Sequence, residues 1–169
     1  MPSEKEQRAF EELIAWTLGL RDAGFIHQHV VDAWAAQHAT EKSTPISVAF
    51  ALIGLYLHLE QGLTGREVQR AHMRLAQPHG RGPGRKEWPR FKFPKERGRI
   101  TAIDVVAAPE KERPRTIDRW CQSVFEVWRD SHAAVIECVN RGLLRRASWR
   151  ALQNSHYAQN PSPVPLQGQ

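Results

Sequence analysis

At 169 residues, 41% hydrophobic and 25% charged, the chain can bury a sizeable core as one domain and is too apolar to be a disordered polymer. Its longest apolar run, "ISVAFALIGLYL" from Ile46 to Leu57, stops at His58 and Glu60, short of the roughly 18 residues of a membrane span. The formal charge of +6 points to anionic partners, but one segment carries the excess: Arg81, Arg85, Lys86, Arg90, Lys92, Lys95, Arg97 and Arg99 against Glu87 and Glu96.

The start, "MPSEKEQRAFEEL", is acidic and amphipathic, with no basic segment leading into an apolar one, so a cytoplasmic protein without a membrane anchor is expected. Ser3 and Glu6 spell a capping box, and Phe10, Leu13, Ile14 and Thr17 follow the helical period up to Gly19. Asp22 is placed to cap a second helix, which runs to about His38 and carries "FIHQHVVDAWAAQH". Pro45 opens a third, and from Ile46 to Glu60 apolar residues occupy nearly every face, the pattern of a helix enclosed by others. Thr64 and Glu67 form a second capping box ahead of a fourth helix striped by Val68, Ala71, His72 and Leu75.

After Gln77 and Pro78, the glycine, proline and arginine of residues 79–99 show no sustained period and predict a long basic loop across one end of the bundle. Thr101 and Asp104 predict a short helix through Ala108. A long one should follow from Pro114 to about Asn140, buried along Cys121, Phe125, Trp128, His132, Val135 and Val139. The ending "NPSPVPLQGQ" is too poor in bulky apolar residues to pack and predicts a disordered C-terminal tail. The architecture expected is therefore all-α: a single-domain helical bundle of about five main helices and a short sixth over residues 1–152, with residues 153–169 as tail. Cys121 and Cys138 are too few for a zinc ribbon and are expected as reduced thiols.

Histidines on buried stripes are the chemical signal. His27 and His38 share a face but lie about 16 Å apart along one helix, so they cannot bind one ion together. Antiparallel packing of helices two and three would bring His27 level with His58, with His72 within about two turns. His27, His38, His58, His72 and His132 are thus candidate ligands for a transition metal, Zn, Fe, Mn or Ni, in a polar pocket shared with Asp32, Gln37, Trp34 and Trp128. No His-Glu-x-x-His or Glu-x-x-His pattern supports that set. The competing reading has no cofactor, only histidines bonded to neighbours such as Asp32, Gln37, Glu60 and Glu67. A small-molecule ligand is the partner the pocket implies, and no motif names a reaction.

A second functional class rests on the basic loop. Arg85, Lys86, Arg90 and Lys92, interleaved with Trp88, Phe91 and Phe93, have the composition of a surface for nucleic acid or an acidic partner, used by a non-enzymatic regulator. The prolines of "EWPRFKFP" suit instead a segment whose aromatics fold back and anchor it on the bundle.

With "HQHVVDAWAAQH", "PISVAFALIGLYLHLEQG", "GREVQRAHMRLA", "WPRFKFP", "RGRITAIDVVAAP" and "RWCQSVFEVW" in view, the chain resembles, over about Phe25 to His132, a bacterial family of domains of unknown function. The family pattern Val-Asp-Ala-(Tyr/Trp)-Ala-x-Gln-His corresponds to Val31–His38, and a Trp-x-x-Ser-Val-(Trp/Phe)-x-x-Trp segment closing on a histidine corresponds to Trp120–Trp128 and His132. The resemblance implies roles for His27, Asp32, Gln37, His38, Trp120, Trp128 and His132, and says nothing of an activity. Some members begin with a Cys-x-x-Cys-Gly zinc-type element, whereas here no cysteine precedes Cys121.

Overall fold

A computed structural model describes residues 1–77 and 88–144, and among these the regular elements are all helical. The expected all-α bundle is the fold found. Arg85 and Lys86 of the basic loop, and the tail expected over 153–169, lie outside the described residues.

Helix α1 (Glu4–Gly19) starts where the sequence places it: Ser3 Oγ accepts from the Glu6 N–H and the Glu6 carboxylate accepts from the Ser3 N–H at 2.8 Å. Helix α2 (His27–Gln37) begins later than the Asp22 cap predicts. The Asp22 carboxylate accepts instead from the N–H groups of Gly24, at 2.7 Å, and Ile26, at 2.8 Å, closing a turn that puts Phe25 at φ 56°. That left-handed conformation is uncommon for a bulky residue and is held by what surrounds it. The Arg66 N–H donates to the Gly24 carbonyl at 2.8 Å, and its guanidinium lies 4.5 Å over the Phe25 ring. A Cβ at Gly65 would overlap the Phe25 carbonyl, so only glycine lets the turn dock here.

Helix α3 (Pro45–Leu59) is the apolar centre that its sequence predicts. Thr44 caps it, and Leu52, Ile53 and Leu55 are wholly buried between neighbours on several sides. Each such side chain contributes about 1.5–3 kcal/mol on leaving water. Helix α2 packs along α3 and also touches α1, α4 (Gly65–Ala76) and α6 (Arg113–Val127), so no face of α2 is wholly free. Short helix α5 (Ala102–Ala107) closes over α1 and α6.

The single long final helix expected from Pro114 to Asn140 is broken. Helix α6 ends at Val127, Arg129–Ser131 form a 3-10 turn, and α7 (His132–Val139) turns back onto α3 before a π-helical turn at Asn140–Leu144. No glycine or proline causes this. Trp128 is buried with its indole N–H on the Ala36 carbonyl at 3.2 Å, and the Ser131 N–H closes on the Trp128 carbonyl at 2.8 Å. Of the expected stripe, Cys121, Phe125, Trp128, Val135 and Val139 are buried across the break, while His132 is half-buried.

Residues 88–99 form an irregular strap across the bundle. Trp88 meets Phe50, and Phe91 and Phe93 meet the edge of Trp128. Gln37 clamps its far end: the side-chain amide donates to the carbonyls of Arg97 and Ile100 at 2.9 and 2.8 Å, while its oxygen accepts from the Trp120 indole at 2.8 Å. The strap's aromatics are therefore anchors, as the prolines suggested.

Candidate functional site

The five candidate imidazoles go to different partners. His27 Nδ1 meets the Thr17 hydroxyl at 2.8 Å; because that hydroxyl donates to the carbonyls of α1, the ring supplies the proton. His38 lies against Trp34, which stacks on Phe10, and both its ring nitrogens are buried without a hydrogen-bond partner among the described residues. Burial lowers the pKa of both histidines. His72 sits on Phe50 with Nδ1 3.5 Å from the Gln28 amide. Burial pulls its pKa down to about 4, opposed by the Phe50 backbone, and its Nε2 is buried with no hydrogen-bond partner among the described residues. His132 stacks on Phe125 at 3.9 Å and meets the Phe125 carbonyl through Nε2 at 3.0 Å.

Among the described residues, only His58 of the five meets another histidine, and it is not His27. Its ring stacks on His29 with centroids 3.6 Å apart and planes at 24°. His27 and His29 are about 200° apart around α2, so His27 faces α1 and His29 faces α3. Among the described residues, no group of three or more His, Cys, Asp or Glu side chains is placed to hold a metal ion.

The pair opens a cleft of about 290 Å³ between the α1–α2 turn, the end of α3, the start of α4 and Asp118 of α6. His58 Nε2 is 3.0 Å from the Asp118 carboxylate and Nδ1 is 3.3 Å from the Leu63 carbonyl. Both partners are acceptors, so only the imidazolium makes both bonds at once. His29 is 5% exposed, lines the cleft and has a free Nδ1. Burial, then the adjacent His58, depress its pKa to about 3 against the opposing pull of Asp118 and Asp22. The result is a neutral imidazole stacked on an imidazole that is bonded to a carboxylate.

Asp32 is buried elsewhere, in a notch of α3. Its Oδ1 accepts from the Gln28 amide at 3.0 Å, Oδ2 has no hydrogen-bond partner among the described residues, and a Cβ at Gly54 would overlap Oδ2. Desolvation raises its pKa well above the ordinary value, so the side chain is held as a neutral acid. Gln37 serves the strap, Trp34 the stack on Phe10, and Trp128 lies under the strap, so the pocket residues expected from sequence do not converge. Cys121 is buried, its thiol pushed up above all by burial, which removes it as a nucleophile. Arg90 and Lys92 are exposed on the strap.

The family of unknown function DUF5946 matches residues 5–129. The chain belongs to that family. The matched region holds α1 to α6, hence His29, His58, Asp118 and the Gln37 clamp, and stops short of α7 and His132. No curated protein and no solved structure matches.

His29 and Asp118 were not anticipated. His29 was visible only as a histidine on the opposite side of α2 from His27, and Asp118 as one acidic residue on the solvent side of α6. Neither signal identifies its partner without the packing.

Proposed function

We propose that this DUF5946 chain binds a small polar molecule in the cleft beside His29, and that the site is a recognition site rather than a proton-transfer centre. The observation that carries this reading is a nearly fully buried imidazole, lining a cleft, whose Nδ1 has no hydrogen-bond partner among the described residues. Orphaned buried polar groups are uncommon, and one on a side chain that borders a cavity is accounted for by a ligand that completes its bonds.

The magnitude of the shift argues against general-base catalysis. A general base works best with a pKa near the working pH, whereas His29, at about 3, is a weak base at neutrality. His58 has both nitrogens turned to protein acceptors, so neither is left for a ligand. What the pair offers is orientation: His58 and Asp118 fix the stack, and neutral His29 presents a hydrogen-bonding edge. A metal-loaded version of the pocket lacks a converging donor set among the described residues.

A ligand-observed NMR screen of small polar compounds, followed by backbone shifts of the protein, tests the proposal. Hits should perturb Ile26, His29, Leu63 and Thr64, and His29→Phe, which retains an aromatic stack, should weaken them about tenfold, the value of one hydrogen bond. Hits confined to other surfaces, or unaffected by His29→Phe, would remove the cleft from consideration.

A further inference from the structure

We propose that the strap of residues 88–99 is a docking surface for the phosphate backbone of double-stranded nucleic acid, bound without regard to sequence. The strap alternates. Arg90 and Lys92 are exposed on either side of buried Phe91, and Arg97 and Arg99 on either side of Gly98, with Lys95 exposed between them. Between Arg90 and Lys92 no bend interrupts the chain, and alternate residues of extended backbone share a face about 6–7 Å apart, a step comparable to that between successive phosphates on one strand; bends at Lys95 and Arg99 set the other three cations at their own spacing. Five cations thus stand outward against one strap carboxylate, Glu96.

Their backbone is held in place. Gln37 bonds the carbonyls of Arg97 and Ile100, the Ser123 hydroxyl accepts from the Arg99 N–H at 2.7 Å, and Phe91 and Phe93 lie on Trp128. A Cβ at Gly98 would press on the Ser123 carbonyl at 2.9 Å, and its φ of 89° also requires glycine. Charges mounted on a fixed backbone lose less entropy on binding than charges on a free loop. Beside the strap, Lys92, Lys95 and Arg129 rim a depression of about 360 Å³ floored by Phe93, Val127 and Trp128, wide enough to seat a phosphate between cations. Glu96 and Asp130 also line it, Asp130 at 3.9 Å from Lys92, and offset part of this charge.

The direction of the aromatics selects the class of nucleic acid. Single-strand binders stack bases on outward aromatics, but here Phe91 is buried and Trp88 and Phe93 turn toward Phe50 and Trp128. Recognition is left to charge alone, and a duplex offers the denser line of charge.

Fluorescence anisotropy of the full chain with short labelled duplexes of DNA and of RNA tests this. We expect affinity of micromolar order near physiological salt, little difference between sequences, and a log–log salt slope of about −4, a loss of about 200-fold between roughly 50 and 200 mM. The triple variant Arg90→Gln, Lys92→Gln, Lys95→Gln, all exposed positions, should leave helix content and thermal midpoint unchanged and flatten the slope to about −1. Absent or salt-insensitive binding, an unchanged slope in the folded triple variant, equal affinity for single strands, or tighter binding to polyglutamate, each overturns the proposal; the last would assign the strap to an acidic protein.

Discussion

Replacing His29 with phenylalanine should make the protein less sensitive to acid. In the folded chain burial and His58 hold the His29 pKa at about 3, whereas its ordinary value is 6.5. The unfolded chain therefore binds a proton that the folded chain refuses, throughout the window between those values. A depressed histidine contributes its stability penalty there: none above about pH 6.5, growing as pH falls toward 3, and constant below. Each pH unit inside the window is worth about 1.4 kcal/mol, so falling from pH 7 to pH 4 costs the parent about 3 kcal/mol through this residue alone. Against a typical stability of about 5–15 kcal/mol that is a measurable fraction.

His29→Phe removes the linkage while keeping a ring on His58. Asp32 shifts in the opposite sense, so the parent's own profile mixes both signs, and the difference between variant and parent is the quantity to follow. Urea unfolding monitored by circular dichroism at several pH values gives it. The variant should gain about 3 kcal/mol on the parent between pH 7 and pH 4. A difference constant within about 1 kcal/mol over that range would refute the claim that His29 is buried neutral against His58.

Asp32→Asn should gain on the parent as pH rises, because a carboxyl held neutral stabilises the fold below its ordinary value of 3.8 and loses that contribution as pH climbs toward its raised folded value; chemical denaturation between pH 4 and 8 reads the slope. Gly54→Ala forces a methyl onto Asp32 Oδ2 and should cost about 1–3 kcal/mol, with much of the loss recovered in the Asp32→Ala background, a coupling a double-mutant cycle measures. Gln37→Ala leaves the Trp120 N–H and the carbonyls of Arg97 and Ile100 unpaired, so hydrogen exchange should accelerate where the strap joins α5 and stability should fall by about 2–4 kcal/mol. His132→Leu should cost less than about 1.5 kcal/mol, since the Phe125 carbonyl keeps the Trp128 N–H, and His132→Ala should cost more because it also opens a cavity; thermal melts rank the two.

Local signals in the sequence were reliable because the interactions behind them are local. Ser3 with Glu6, Thr64 with Glu67 and Thr101 with Asp104 close helix starts across three residues, and each is formed. Pro45 and the all-round apolar face of α3 likewise report on one helix at a time. What failed depended on contacts far apart in the chain. The break after Val127 is set by Trp128 reaching Ala36, and the destination of Gln37 by a strap some sixty residues away. The histidine cluster failed for a related reason: an argument from one stripe assumes one buried face, but α2 has neighbours on several sides, so His27 and His29 are both partnered and on opposite sides.

The same crowding explains why α2 carries polar groups inward. His29 faces His58, Asp32 fills the notch at Gly54, and Gln37 joins Trp120 to the strap, so a slide of one residue, about 1.5 Å and 100°, would break all three contacts together. An apolar α2 would tolerate that slide, and buried polar contacts can specify register even where they add little stability. Two of these groups nevertheless keep an unpartnered atom, and their surroundings differ. Asp32 Oδ2 is sealed against the Gly54 backbone, where no ligand fits, so its cost is explained by register alone. His29 lines open space, where register would be served as well by a phenylalanine stacked on His58. The two substitutions should therefore separate: Asp32→Asn should leave binding of any cleft ligand unchanged while altering the pH dependence of stability, and His29→Phe should alter both. If Asp32→Asn weakened binding as much as His29→Phe does, the cleft would extend into the notch and the division of roles along α2 would be wrong.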